Sequence, residues 1–178
     1  GGSTSAQLAS SDYGKSYANL MNTKKKNVET QGSPYIFEEW QSGIVVFEGE
    51  EGAEFKNIKI DLMNNQLEVL YMDAEKVLPA ANFKMVKLNH PSLSENTFFQ
   101  KASDYRYGHK PLKGFAQVTP VGENFKVVTI HSIRVIESSM NARIVGASHR
   151  KRLARDKKIF VFKKGKMYRI KKKKDAFK

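Results

Sequence analysis

The side chains best equipped for chemistry are four histidines, His90, His109, His131 and His149, and the carboxylates Glu38, Glu39 and Asp61. The histidines are widely spaced and follow neither a His-x3-His nor a His-Glu-x-x-His pattern, so no zinc-type ligand set can be read from them. His131 falls in an alternating apolar run, where a half-buried structural histidine is expected. Glu38 and Glu39 are adjacent, and on a strand they would point to opposite faces. A glycosidase needs two carboxylates roughly 5–9 Å apart across one cleft. Only the fold could bring Asp61 to meet one of the pair, which leaves a glycan hydrolase as a distant third reading. The chain has no cysteine, which removes thiolate metal sites, disulfides and cysteine nucleophiles together. No Gly-x-Ser-x-Gly elbow, Walker loop or Gly-x-Gly-x-x-Gly turn occurs either. The expectation is a non-enzymatic protein, with no catalytic, metal-ligating or cofactor-binding residue to name.

Two clusters are suited to recognition instead. Tyr35, Phe37 and Trp40 lie beside the acidic pair, where an exposed Trp could stack on a sugar ring or anchor a partner protein. The competing reading is that Trp40 plugs one end of a β core, since large aromatics are highly buried on average. The second cluster is basic: Arg150, Lys151, Arg152 and Arg155, then Lys171, Lys172, Lys173 and Lys174. With Phe160, Phe162 and Tyr168 nearby, it could take a polyanion or stack single-stranded bases. No RNP-like aromatic sequence or zinc module accompanies it.

The charge is strongly polarised. Residues 1–89 hold 9 Lys/Arg against 12 Asp/Glu, a net of −3, whereas residues 90–178 hold 22 against 6, a net of +16. A one-sign field at one end favours nucleic acid, phospholipid head groups or acidic glycans. It would equally keep the edges of an exposed β protein soluble and unpaired.

The elements that must position these residues are short strands. Lys15–Thr23 has helical spacing, through Tyr17, Leu20 and Met21 with Tyr13 just before it, which suits a short amphipathic helix, while the first thirty or so residues could equally be loose. From Gly32 the period changes to two. Gly43–Phe47, Phe55–Leu62, Leu67–Tyr71, Glu75–Leu78 and Phe83–Leu88 read as a meander, with Asn64-Asn65 as a tight turn because Asn tolerates positive φ. His90-Pro91 closes that block. Thr97–Ala102, Gly114–Thr119 and Phe125–Glu137 follow, with a polar and aromatic loop at Asp104–Lys113. Ser138–Arg155 reads as irregular or weakly helical. Ile159–Phe162 and Met167–Ile170, joined through Lys164-Gly165, form the clearest hairpin. The fold class is therefore all-β or β-rich: antiparallel meanders in one compact body or two small packed subdomains, with at most short helices at the termini. The divisions are an N-terminal segment 1–31, a β-meander subdomain 32–90 and a basic β subdomain 91–178. No run of about 18 apolar residues is present to span a bilayer as a helix.

The stretch Gly32-Ser33-Pro34-Tyr35-Ile36-Phe37-Glu38-Glu39-Trp40, followed by Gly43–Phe47 and Phe55–Leu67, resembles a family of uncharacterised exported proteins from outer-membrane-bearing bacteria. Lys164-Gly165-Lys166 and the run Lys171–Lys174 match the C-terminal hairpin and lysine run of that family. The resemblance spans roughly Gly32 to Asp175. It implies export and a β-rich fold and supplies no ligand or catalytic residue. Ser3–Ala6 before Gln7 looks like the end of a signal-peptide cleavage site, in keeping with a periplasmic or outer-membrane-associated location.

The reading that follows is a non-enzymatic cell-envelope protein, a binding or structural β module without a cofactor. Its expected partners are anionic lipid or lipopolysaccharide, glycan or an envelope protein. The alternative is a basic nucleic-acid-binding protein using the same lysines and arginines.

Overall fold

The structure is a computed structural model that describes residues 20–24, 30–49, 51–137 and 151–171. Fourteen strands are found among them, with two single 3-10 turns and no α-helix. The strands are β1 (Asn22–Thr23), β2 (Thr30–Gln31), β3 (Gln41–Val46), β4 (Gly52–Asp61), β5 (Gln66–Tyr71), β6 (Ala74–Pro79) and β7 (Met85–Leu88). They continue with β8 (Phe98–Lys101), β9 (Arg106–Tyr107), β10 (Lys110–Pro111), β11 (Phe115–Val121), β12 (Phe125–Ile136), β13 (Lys151–Lys163) and β14 (Lys166–Ile170). One sheet runs in the order β1-β6-β5-β4-β3-β7-β8-β11-β12-β13-β14, with β2 pairing parallel to β13; β9 and β10 form a separate hairpin. The β-rich, antiparallel expectation holds.

The alternation that predicts these strands also sets which side is buried. Val45, Phe55, Ile58, Ile60, Leu67, Val69 and Leu78 line one side of β3–β6 and form the larger core with Phe83, Val86, Phe99 and Phe115. Between Pro79 and Met85 the chain passes from β6 to the far side of β3, across the width of β5, β4 and β3. In a flat sheet four strand spacings would cost roughly 19 Å sideways alone. Six peptide steps, three of them tightened into the 3-10 turn Ala80–Asn82, cannot cover that together with the length of the strands. The sheet is therefore coiled, and the link carries Phe83 into the core at 1% exposure. Its two ends are held by Ala80 N–H donating to the Asn65 carbonyl and Lys84 N–H donating to that of Val46.

The second core consists of Ala116, Val118, Val128, Ile130, Phe160 and Met167 under the loop that follows β8. That loop, expected as polar and aromatic, is ordered. Its 3-10 turn Ala102–Asp104 and the β9–β10 hairpin set Tyr105 edge-on to Phe162 and Tyr107 edge-on to Phe160, with ring centroids 5.7 and 5.1 Å apart.

Two local expectations change. Lys15–Thr23 reads as a helix, but within its described part Asn22–Thr23 is a strand, because the open edge of β6 offers hydrogen-bond partners at Lys76 and Val77. Lys151–Arg155 reads as irregular, yet it opens β13: the pairing of Arg152–Arg155 with Ile133–Ile136 and burial of Leu153 outweigh the low strand preference of charged residues. Residues 138–150 lie outside the described residues.

Candidate functional site

The basic region is built on the four-strand ribbon β11–β14, whose register arranges its side chains in rows. On one face the rows are Val121-Phe125-Lys163-Lys166, then Thr119-Val127-Val161-Tyr168, then Gln117-Thr129-Ile159-Ile170, then Phe115-His131-Lys157. The last row is continuous with the larger core: Phe115 is fully buried and His131 is 2% exposed. Moving toward the hairpin ends, the same face emerges into solvent, and Val121, Phe125, Ile159 and Tyr168 are 40, 37, 43 and 55% exposed. The opposite face of the ribbon is the second core, closed over by Tyr105 and Tyr107.

Cations crowd this ribbon. Residues 115–137 and 151–171 together hold twelve Lys/Arg against three Asp/Glu. Lys163 and Lys164 join Val121, Phe125 and Glu123 around a cleft of about 490 Å³ where the β11–β12 and β13–β14 turns meet. Lys164 and Gly165 both take positive φ, 50° and 77°, the conformation of a tight two-residue hairpin turn, which holds Lys163 and Lys166 opposite each other. Of the sequence-derived candidates, Lys151, Arg152 and Arg155 lie at the start of β13 and Lys171 just after β14, all exposed. Arg155 donates to the Ile36 carbonyl at 3.1 Å and ties β13 to the segment before β3. Arg150, Lys172, Lys173 and Lys174 lie outside the described residues. Sequence reasoning passed over Lys157, Lys163 and Lys166, whose alternation with Ile159, Val161 and Tyr168 was the available signal.

The aromatic candidates separate. Tyr35 bridges to Asp61 and so lies on the outer face of β4, where the Lys59 ammonium sits 4.7 Å from its ring centre and 4.8 Å from that of Trp40. Phe37 packs against the larger core, stacked on His90 at 4.0 Å and edge-on to Phe99. Trp40 is half-buried against Lys59, and it is absent from the core cluster it was a candidate to plug.

Beside Tyr35 is a buried polar group that the alternation pattern does not reveal. Glu68 projects from the outer face of β5, yet it is 1% exposed, with Lys24 Nζ 2.8 Å from Oε1. Burial would lower the pKa of Lys24, but the Glu68 carboxylate prevails and raises it. Burial, reinforced by Glu68, pushes the Tyr35 hydroxyl up to about 12. Asp61, also fully buried, accepts from the Met63 and Asn64 amides and from Asn64 Nδ2 and Gln66 Nε2, which staples the β4–β5 turn. Its carboxylate is thereby committed to structure.

The three described histidines stay apart in the fold, and His149 lies outside the described residues. His90 stacks on Phe37, His109 is exposed near the β9–β10 turn, and His131 Nε2 meets Gln117 Oε1 at 2.8 Å. Burial, with Lys157 and Arg155 adding to it, lowers the His131 pKa to about 4. Among the described residues no three His, Asp or Glu side chains converge as a metal site, and no helix is long and apolar enough to cross a membrane. Comparison with protein families, with curated proteins and with solved structures produced no match to this chain.

Proposed function

We propose that this protein is a non-enzymatic, exported binding module of the cell envelope, periplasmic or outer-membrane-associated, whose basic β11–β14 ribbon holds anionic envelope components. The observation that carries the reading is the ribbon itself: twelve cations against three acids, on strands whose register holds Lys157, Lys163 and Lys166 on one face. Such a surface attracts lipid or lipopolysaccharide phosphate and acidic glycans by a long-range field that salt screens. Export rests on the resemblance of the Gly32–Asp175 stretch to exported proteins.

The test pairs location with binding. The gene expressed with its native start is fractionated, and the purified protein is titrated with lipopolysaccharide and anionic vesicles at low and moderate salt. Recovery from the periplasm or outer membrane, with binding lost on reversing Lys163 and Lys166 to Glu, is expected. Cytoplasmic recovery, or indifference to charge reversal, overturns the reading.

Nucleic acid is the second reading, favoured by Phe125 and Tyr168 standing exposed among lysines, where bases could stack. It requires affinity for mixed-sequence RNA or DNA that falls steeply with salt as counterions are recaptured.

A further inference from the structure

The face that carries Lys163 and Lys166 is not a purely ionic surface. Val121 and Phe125 share their row, Tyr168 and Val161 fill the next, and Ile159 and Ile170 the one after. A soluble polyanion would be served by cations alone. Open apolar side chains at four neighbouring positions are the kind of patch that marks an interaction surface. A second copy of the chain is a poor occupant, because bringing two such faces together would set Lys157, Lys163 and Lys166 against like charges.

We infer that this face seats the protein on the surface of an anionic phospholipid bilayer, with Phe125, Ile159 and Tyr168 entering the interfacial layer and Lys163 and Lys166 meeting lipid phosphates. This rests on the anionic-envelope reading above and names its partner. The residue types fit the two zones of a bilayer surface. Phe125 and Ile159 supply apolar area, Tyr168 an apolar ring with a hydroxyl that can stay wet, and the lysine stems lie along apolar surface while their ammonium groups reach out. Shallow apolar insertion and electrostatic attraction are each marginal anchors and become effective together. The ribbon presents both on one face, while its other face is closed over by Tyr105 and Tyr107.

The test is flotation of the full chain with phosphatidylcholine vesicles, with and without roughly one third phosphatidylglycerol. The parent is expected to float only with the anionic vesicles. Phe125→Ser/Tyr168→Ser should weaken that binding by about tenfold while leaving heparin binding unchanged, and Lys163→Glu/Lys166→Glu should abolish both. Ile159→Thr, which keeps the branched strand-forming shape, serves as a second apolar variant, and unchanged thermal midpoints establish that each variant folds. In a Trp40→Phe/Tyr168→Trp chain, brominated lipid should quench the new indole. Unaltered vesicle binding by the serine variant together with no quenching overturns insertion and leaves the electrostatic reading standing. Loss of heparin and vesicle binding alike in the parent overturns both. Sedimentation showing a dimer that the serine variant dissolves, or retention by RNA with none by vesicles, overturns the bilayer as occupant.

Discussion

Lys24 and Glu68 form an ion pair of 2.8 Å on the outer face of β5, with the carboxylate all but excluded from solvent at 1% exposure. Lys24 follows β1, which is itself held to β6 through Asn22 and Thr23. The pair therefore fastens the earliest described segment to the body of the sheet. A buried charge stripped of its partner costs more than the pair contributed. Lys24 keeps some contact with water, which softens that cost. Lys24→Met is expected to destabilise by about 2 kcal/mol, and Lys24→Met/Glu68→Leu to recover most of the loss. Urea midpoints of the single and double variants measure this. A double variant no better than the single would mean that the charge on Glu68 carries no penalty.

His131 makes stability depend on pH. Its pKa lies near 4 in the fold against 6.5 for the free side chain, so the unfolded chain binds the proton first as pH falls. Stability is therefore full above pH 6.5, declines between 6.5 and 4 and levels off for this group below 4. The total loss is about 3 kcal/mol. His131→Gln should flatten the decline within that window in denaturant melts at stepped pH. An unchanged slope would assign the dependence to other groups.

Gly114 is held against the backbone of β12. A Cβ there would lie 1.9 Å from the His131 carbonyl oxygen, and the residue sits at φ +98°. Both the contact and the conformation exclude a side chain. Gly114→Ala is expected to cost at least about 3 kcal/mol and to loosen the β11–β12 start. Gly122→Ala, at φ +64° but with open space around it, should cost less. Thermal midpoints of the two variants make the comparison, and equal losses would trace the effect to backbone conformation alone.

Lys59 stands over the rings of both Tyr35 and Trp40. Lys59→Met keeps the stem and removes the charge, so it should cost about 1 kcal/mol or less. It should also alter the emission of Trp40, the chain's single tryptophan. An emission spectrum identical to that of the parent would remove the contact from solution.

Much of this architecture was legible along the chain, because strands and tight turns are written in short-range signals. The β4–β5 turn follows from Asn64-Asn65, and Asn65 does take φ 54°. The β13–β14 hairpin follows from Lys164-Gly165 between two alternating runs, and the preponderance of cations in its half of the chain is a matter of counting. The basic candidate site was half visible in the same way: Lys151, Arg152 and Arg155 stand out as a cluster, while Lys157, Lys163 and Lys166 are dispersed among apolar neighbours.

What the chain could not announce depends on which distant strand lies alongside. Glu68 alternates as an outward residue, and its burial comes from Lys24 and Tyr35, brought over it by pairing with β6 and β4. Tyr35 and Trp40 part from Phe37 because the chain bends through residues 36–39, so a two-residue period no longer sets the side on which each ring leaves. Lys151–Arg155 becomes strand because β12 pairs with Arg152–Arg155 and β2 with Lys151. The face that is core at Phe115 and His131 becomes open surface at Val121 and Phe125 because the ribbon outruns the strands that cover it. Local propensity acts over a few residues, whereas burial is set by partners that only chain closure brings together.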